Sequence, residues 1–350
     1  MKLAKKMLFL GLCLILAAGM VFAAGGKDGG GAAGAGSGKI KIYFIPKNLG
    51  NPYFVALSTG FEQAIQELGA DKFEFIMTGP ATPEATSQIE YVEAAVQNGA
   101  KAIFIAANSN DALNPTFDDA RKKGVRIYII NQDIPGSEAH RDAAILPVNF
   151  ATVGVSQLDL LGGYINFEGE FAILSATTDA PDQNFWVQSM KDELAKGSPK
   201  YAKMKLVEVV YGDDQPERST TEMEALITKW PNLKGVIAPT TVGIAAAAKV
   251  VQTRGLGDKI KVTGLGLPSE MKEFIVDGTS PGFQLWDPPA EGYLGVYLVN
   301  AEVTQGFKPA PGASFSAGKL GTVKIESNGQ ILTLPTPKLF DKNNLQDFIY

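Results

Sequence analysis

The chain has one cysteine and one histidine among 350 residues, and charged residues make up only 20% of it. A single cysteine excludes a disulfide-stabilised scaffold and a cysteine-rich zinc site. A single histidine leaves little room for histidine-based metal sites or catalytic triads, so we expect neither a metal nor a cofactor. The formal net charge of −5 argues against nucleic acid as a partner, because phosphate-binding surfaces are basic. Composition therefore favours a binding protein over an enzyme.

The first 23 residues have the pattern of a secretory signal peptide. Three lysines precede an apolar stretch at residues 7–18, and a plausible cleavage site follows at 21–23. This stretch is shorter than the roughly 20 residues of a membrane span, which disfavours a retained membrane anchor. Lipidation at Cys13 is also disfavoured, because Leu12 stands where a small residue is expected. Residues 24–38, rich in glycine and alanine, predict a flexible tether.

From residue 39 onwards, predicted strands and helices alternate along a chain long enough for two domains. The strands are continuous apolar runs such as Ile40–Ile45, which is typical of parallel sheets covered on both faces. Helices are predicted from Asn51, from Thr82 and over residues 111–123, and the alternation restarts after Asn149. The sequence therefore predicts an α/β protein with two similar Rossmann-like lobes, whose ligand binds beyond the carboxyl ends of the strands.

Polar and aromatic side chains recur where these strands end. Each sugar hydroxyl both donates and accepts a hydrogen bond, so amides and carboxylates can satisfy pairs of them, while aromatic faces pack on the C–H face of the ring. The absence of an arginine cluster disfavours a phosphate or dicarboxylate ligand. The set therefore indicates a neutral polyhydroxyl ligand. The candidate residues are Lys47, Asn51, Tyr53, Phe54, Asn108, Asn131, Asp133, Asp182, Gln183, Pro239, Thr241, Trp286 and Asp287.

Several of these positions have a purely structural alternative. Asn51 and Asp182 could be helix N-caps. Trp186 and Trp286 could be core residues, since aromatic side chains often fill protein cores. Residues 213–214 are expected in a solvated loop. The functional signal is collective, because polar residues recur at strand ends in both halves of the chain.

Six runs along the chain are typical of one known family. They are Phe44–Lys47 with Gly50–Phe54, Asp182–Trp186, Tyr211–Gln215, Ile237–Lys249, Val262–Glu270 and Leu285–Asp287. Together they resemble the periplasmic solute-binding proteins of sugar ABC transporters, in the branch that contains rhamnose-binding and autoinducer-2-binding proteins. The resemblance covers nearly the whole chain from Lys39. It implies a type I periplasmic binding fold, in which two lobes joined by a three-strand hinge close on one ligand.

The same resemblance implies the lobe boundaries and the partners. The N-terminal lobe is expected at residues 39–147 and 288–312, and the C-terminal lobe at 148–287 and 313–350, with the third crossing around 311–320. A monomer in the periplasm that delivers its ligand to a membrane permease is expected, with a chemoreceptor as a second docking partner. No catalysis is expected.

The resemblance also narrows the ligand. In the autoinducer-2 receptor pattern, residues at the places of Lys47, Asp182, Gln183 and Pro239 contact the ligand, and all four are present here. However, that pattern has an aspartate where Asn131 stands and a small residue where Thr241 stands. We therefore expect a rhamnose-like deoxysugar first, with autoinducer-2 as the alternative.

A secreted sugar-processing enzyme is a more remote alternative. It would use Asp182 and Asp287 as an acid/base pair, and glycoside hydrolysis needs two carboxyls about 5–5.5 Å or about 6.5–9.5 Å apart. The resemblance argues against this interpretation.

Overall fold

The computed structural model describes residues 38–134, 136–334 and 336–345. The predicted signal peptide lies outside the described residues, and so does the predicted tether apart from Gly38. Among the residues that are described, no helix combines the length and the apolar character that a membrane span requires.

The first half of the fold alternates strands with helices, as expected. Its elements in chain order are β1 (Ile40–Ile45), α1 (Pro52–Leu68), β2 (Phe73–Met77), α2 (Ile89–Gln97), β3 (Ala102–Ile105), α3 (Asn114–Lys122), β4 (Arg126–Ile130) and β5 (Ala143–Leu146).

The second half repeats the alternation and ends in short strands. Its elements are α4 (Phe150–Tyr164), β6 (Glu168–Ser175), α5 (Pro181–Ala195), β7 (Lys203–Tyr211), α6 (Pro216–Lys229), β8 (Leu233–Ala238), α7 (Thr241–Thr253), β9 (Lys261–Gly264), α8 (Pro268–Val276), β10 (Gly282–Leu285), α9 (Pro288–Gln305), β11 (Ser314–Ser316), β12 (Thr322–Lys324), β13 (Gln330–Leu332) and β14 (Lys338–Asp341).

The first sheet has the order β13-β5-β4-β3-β1-β2, and its neighbouring strands pair in parallel. Both of its faces are buried, which explains why β1 is apolar at nearly every position. Ile42 and Phe44 face the core beneath α1 and α9, whereas Tyr43 and Ile45 face the core beneath α2 and α3. We call this sheet with α1–α3 and α9 the first lobe.

The second sheet has the order β7-β6-β8-β9 and is also parallel. A bridge between Leu265 and Gln284 places β10 alongside the end of β9, and β14 pairs with β10 in the antiparallel direction. These strands with α4–α8 form the second lobe. The α/β class with parallel sheets is therefore confirmed.

Two helices begin later than the sequence predicted. Helix α2 begins at Ile89 and not at Thr82, and residues 85–88 form a turn before it. The Gln88 side chain is fully buried and donates to the carbonyl groups of Pro46 and Ala106. Helix α3 begins at Asn114, because Ser109 accepts hydrogen bonds from the amides that follow it and holds residues 109–112 in a turn. Hydrogen bonds of the Gln88 and Ser109 side chains thus hold the segments before α2 and α3 outside the helices.

The expected boundary at residues 313–350 needs a correction. Strand β13 pairs with β5 in the first sheet, so residues 330–332 belong to the first lobe. The hairpin of β11 and β12 also stays with the first lobe, because β11 packs against α9. The chain reaches the second lobe only at β14, so the third crossing lies between Leu332 and Lys338 and not at the expected 311–320. A three-residue strand carries too little periodicity for its sheet to be read from sequence.

Helices α1 and α9 lie unusually close together, because glycines stand at their contact. A Cβ added to Gly60 would lie 1.8 Å from the carbonyl oxygen of Pro289, and one added to Gly292 would lie 2.5 Å from that of Leu57. This close packing brings Tyr53, near the start of α1, against Glu291, near the start of α9.

Candidate functional site

A cavity of about 30 Å³ lies between the two lobes at the carboxyl ends of their strands. This volume holds about one or two water molecules, so the lobes must move apart before a sugar can enter. The first lobe contributes the residues that follow β1 and β4, and the second lobe contributes those that follow β6, β7, β8, β9 and β10. The lining residues are Lys47, Asn51, Tyr53, Phe54, Asn131, Asp182, Gln183, Trp186, Asp214, Pro239, Thr240, Thr241, Leu265, Leu285 and Trp286.

A buried ion pair joins the two lobes across this cavity. The ammonium group of Lys47 donates to Oδ1 of Asp182 at 2.6 Å and to Oε1 of Gln183 at 3.2 Å. The two charged side chains are only 5% and 1% exposed. Gln183 is held in turn by its own donation to the carbonyl oxygen of Pro239 at 3.3 Å. Because the charges of the pair cancel, the cavity suits a neutral ligand better than an ionic one.

Two polar atoms of the second lobe are buried in this region without a hydrogen-bond partner among the described residues. They are Oδ2 of Asp182 and Nε1 of Trp186. Asp182 stands in the first turn of α5, but its side chain does not cap the helix, because Ala180 holds the N-cap position. Buried polar groups are nearly always hydrogen-bonded, so an acceptor and a donor left open beside a cavity indicate a polar ligand.

Aromatic side chains form one wall of the cavity. The ring centroids of Trp186 and Trp286 are 6.1 Å apart, and those of Tyr53 and Trp286 are 6.5 Å apart at 85°. Phe54 packs edge-on against Tyr53 at 5.3 Å. Both tryptophans thus pack in the core and also line the cavity. Their role as core residues therefore does not exclude a role in ligand binding.

Tyr53 connects this wall to the loop after β4. Its hydroxyl oxygen lies 2.5 Å from Oδ1 of Asn131 and 2.6 Å from Oε1 of Glu291, and it accepts a hydrogen bond from Nε1 of Trp286 at 2.6 Å. Asn131 adopts a left-handed backbone conformation with φ of 70°, which asparagine tolerates better than most residues. Burial, more than any other cause, raises the pKa of Tyr53 and of Glu291 well above their usual values.

Asn51 has a structural role and a place in the cavity as well. Its side chain accepts a hydrogen bond from the backbone N–H of Tyr53 at 2.9 Å and so caps α1. This confirms the helix N-cap that the sequence offered as an alternative. The same oxygen, Oδ1 of Asn51, accepts a long hydrogen bond of 3.4 Å from the hydroxyl of Thr241 on the second lobe. The first turn of α1 is therefore also part of the meeting surface between the lobes.

Asp214 is the residue that the sequence analysis placed wrongly. It was expected in a solvated loop, but it is buried and lines the cavity, where the hydroxyl of Thr240 donates to it. Burial raises the pKa of its carboxyl, and the nearby charge of Lys47 opposes this shift. Asp213 and Asp214 both have positive φ angles, 53° and 49°, and this tight turn directs the chain back towards the cavity.

Three candidate residues do not line the cavity. Asn108 is buried beneath it and donates to the backbone carbonyl of Lys47 at 2.9 Å, so it supports the loop that carries the lysine. Asp133 forms two hydrogen bonds with Arg141, at 2.7 and 2.6 Å. Asp287 occupies the N-cap position of α9. The carboxylates of Asp182 and Asp287, considered above for glycoside hydrolysis, are therefore not assembled in one cavity.

Residues outside the list of candidates complete the site. Trp186, Thr240, Leu265 and Leu285 line the cavity, and Glu291 lies behind Tyr53. Thr240 stands between two candidate residues and Trp186 lies one helical turn after Gln183, so their positions offered a signal. Glu291 offered none, because it lies inside a helix and reaches the site only through the packing of α9 on α1.

Comparison with known proteins places this architecture in a family. The family model described as "periplasmic binding protein domain" matches residues 42–306. A solved sugar ABC transporter protein from Actinomyces odontolyticus is 36% identical, with a TM-score of 0.70, and the match covers 90% of this chain and 98% of that one.

Two further solved structures are similar. An ABC transporter solute-binding protein from Clostridium phytofermentas, solved with bound L-rhamnose, is 32% identical with a TM-score of 0.82 over 89% of this chain and 98% of that one. LsrB from Clostridium saccharobutylicum, solved in complex with AI-2, shares the fold with a TM-score of 0.81 at 20% identity, over 89% of this chain and 100% of that one. The chain therefore belongs to the periplasmic binding protein family and groups with the solute-binding proteins of sugar ABC transporters.

Proposed function

We propose that the protein captures a neutral 6-deoxysugar of the L-rhamnose type between its lobes and delivers it to an ABC permease. The observation that carries this proposal is the open acceptor Oδ2 of Asp182 beside the open donor Nε1 of Trp186 in the cavity between the lobes. A sugar hydroxyl can donate to the first and accept from the second.

The rest of the cavity suits the same ligand class. Asp214 and Asn131 add polar groups on opposite lobes, and the ring of Trp286 offers a face for the C–H groups of a pyranose. Leu265 and Leu285 add apolar surface that can cover the methyl group of a 6-deoxysugar. The relative from Clostridium phytofermentas, whose structure holds L-rhamnose, supports this choice.

Delivery follows from closure of the two lobes. The contacts from Lys47 to Asp182 and from Thr241 to Asn51 exist only when the lobes meet, so the described conformation is a closed one. A sugar that bridges both lobes stabilises this conformation relative to an open one. We propose that the permease recognises the closed form in the periplasm, that the protein acts as a monomer, and that a chemoreceptor is a second docking partner.

A thermal-shift screen followed by titration calorimetry tests the proposal. The panel contains L-rhamnose, D-ribose, D-arabinose, D-glucose and autoinducer-2. A sugar at about 100 times its dissociation constant adds about 2.7 kcal/mol of stability, which raises the melting temperature measurably. We expect the largest shift with L-rhamnose, and we expect Asp182→Asn to make this shift smaller.

The other outcomes are equally informative. The control Glu168→Gln changes a carboxylate of the exposed pair between Glu168 and Lys203, and it leaves the shift intact. A melting-temperature shift with autoinducer-2 alone would mean that the protein captures a signal and does not take up a nutrient sugar. The absence of a shift with every sugar would refute the assigned ligand class.

A further inference from the structure

The hydroxyl group of Tyr53 has more close partners than its single hydrogen can serve. The N–H group of Trp286 donates to it, while Oδ1 of Asn131 and Oε1 of Glu291 both lie within 2.6 Å of it. A phenol donates one hydrogen bond, so it can donate to only one of these two oxygens. The other contact requires a hydrogen that comes from the partner.

Two arrangements satisfy this count without leaving a buried O–H group unpaired. A proton on Oε2 of Glu291 would have no acceptor, because that oxygen has no partner among the described residues. In the first, Glu291 is a neutral acid that donates to Tyr53, and Tyr53 donates to the Asn131 oxygen, so the amide nitrogen of Asn131 is free to face the cavity. In the second, Glu291 is ionised and accepts from Tyr53, and the Asn131 amide is turned so that its nitrogen contacts Tyr53 and its oxygen faces the cavity. The two arrangements offer opposite hydrogen-bonding groups to a ligand.

The surroundings of Glu291 favour the neutral acid. Its side chain is fully buried, and within the described ranges no lysine or arginine forms an ion pair with it. The titratable groups that face it are Tyr53 on α1 and Asp287 on its own helix, and neither supplies a positive charge. Oε2 of Glu291 is also buried and has no partner among the described residues. Hydrogen bonds from the Tyr53 hydroxyl and from the backbone N–H of Asn131 favour the carboxylate, but burial outweighs them and raises the pKa of Glu291.

We propose that Glu291 is a positioning residue that stays protonated and, through Tyr53, holds Asn131 with its amide N–H groups towards the bound sugar. This inference rests on the proposed function. None of the described residues accepts a hydrogen bond from that amide nitrogen, and Asn131 lines the cavity. The site therefore requires a sugar with an acceptor, such as a ring oxygen or a hydroxyl lone pair, opposite Asn131.

The protonation state is tested first in the ligand-free protein, because this measurement does not depend on the identity of the sugar. Infrared difference spectra at neutral pH compare the wild-type protein with Glu291→Gln in the C=O region of protonated carboxylic acids. We expect one protonated carboxyl to be lost in the variant. An unchanged spectrum would overturn the inference, even if L-rhamnose binds well.

The positioning role is tested by calorimetric titration with L-rhamnose. Glu291→Leu removes the donor to Tyr53 and should weaken binding about threefold to tenfold, as expected for one lost hydrogen bond. Glu291→Gln restores an N–H donor in the same place and should recover the affinity to within about twofold of the wild type. The control Glu302→Gln changes another largely buried carboxyl of α9, which pairs with Arg126 away from the cavity, and leaves the affinity unchanged.

The infrared measurement distinguishes the two arrangements, because the glutamine amide can donate to Tyr53 or accept from it and so serves either one. If Glu291 were ionised, no carboxylic acid band would be lost in Glu291→Gln, which would overturn the inference. An unchanged affinity in Glu291→Leu would overturn the positioning role. If the wild-type protein itself fails to bind L-rhamnose, the proposed ligand is refuted, while the infrared measurement still decides the state of Glu291.

Discussion

The replacement of Lys47 by methionine tests the inter-lobe ion pair most directly. Methionine keeps an unbranched apolar side chain but removes the ammonium group that donates to Asp182 at 2.6 Å and to Gln183 at 3.2 Å. Asp182, whose side chain is 1% exposed, is then buried in the closed form without its cationic partner. We expect the variant to fold and to bind L-rhamnose at least tenfold more weakly.

The magnitude follows from the burial of the pair. Removal of one partner from a buried ion pair destabilises a protein by about 3–5 kcal/mol, because the other charge is left uncompensated. Here the lobes can open and let water reach Asp182. The penalty therefore falls mostly on the free energy of lobe closure and only slightly on the free energy of unfolding. Each 1.4 kcal/mol corresponds to about tenfold in affinity. A loss in affinity of about 100-fold to 4,000-fold is therefore expected if the closed form bears the whole penalty, with a small change in the melting temperature of the ligand-free protein.

Titration calorimetry with L-rhamnose measures the loss, and a double-mutant cycle with Asp182→Asn assigns it to the pair. The two single variants should share most of their effect, because either one breaks the same contact. The control Lys203→Met removes an exposed lysine that pairs with Glu168, and such pairs contribute about 0–1 kcal/mol. Circular dichroism melting without sugar separates weakened binding from lost folding.

Two results would refute this reasoning. A change in L-rhamnose affinity below about twofold in Lys47→Met would remove the lysine from the binding site. Additive effects of Lys47→Met and Asp182→Asn in the cycle would show that the two side chains act independently in solution.

Three further predictions concern other parts of the structure. Asp214→Asn should weaken L-rhamnose binding about tenfold in calorimetry, because hydrogen bonds to a charged group contribute about 1.5–3 kcal/mol. Glu291 ionises near its usual pKa of 4.5 when unfolded but at much higher pH when folded, so wild-type stability should fall as pH rises above that value, and by at most about 1.4 kcal/mol per pH unit. In urea titrations at several pH values, Glu291→Gln should lack this slope. Gly60→Ala should lower the melting temperature strongly, because its Cβ would meet the Pro289 carbonyl at 1.8 Å.

Each of these predictions has a result that would contradict it. An unchanged affinity in Asp214→Asn would remove that carboxylate from the sugar contacts. Identical pH slopes in the wild-type protein and in Glu291→Gln would mean that Glu291 is ionised when folded. An unaltered melting temperature in Gly60→Ala would mean that α9 can move away from α1 at little cost.

The fold class could be predicted from the sequence because its signals are local. The apolar run of β1 and the cap of α1 at Asn51 each involve residues that are close together in the chain. The start of α2 could not be predicted this way, because Gln88 is held by carbonyl groups 18 and 42 residues away. The same limit applies to β13, whose partner β5 lies nearly 190 residues earlier, in register from Gln330 with Ala144.

The candidate site divides in the same way. Lys47, Asp182 and Trp286 follow strands, and the carboxyl ends of parallel strands meet at one edge of a sheet, so their place near a ligand cavity follows from the alternation of elements alone. Asp133 follows a strand too, but its carboxylate forms an ion pair with Arg141 and does not line the cavity. This contact cannot be read from the strand pattern.

Glu291 shows what only the tertiary structure could decide. Nothing in the sequence around it marks a functional carboxyl, and its role arises because glycines let α9 approach α1 until its side chain reaches Tyr53. The sequence alone was sufficient for the α/β class and for most of the polar residues that line the cavity, since both follow from short-range patterns. The protonation state of Glu291, the orientation of Asn131 and the burial of Asp214 depend on side chains brought together from distant parts of the chain, and folding alone determines which of them meet.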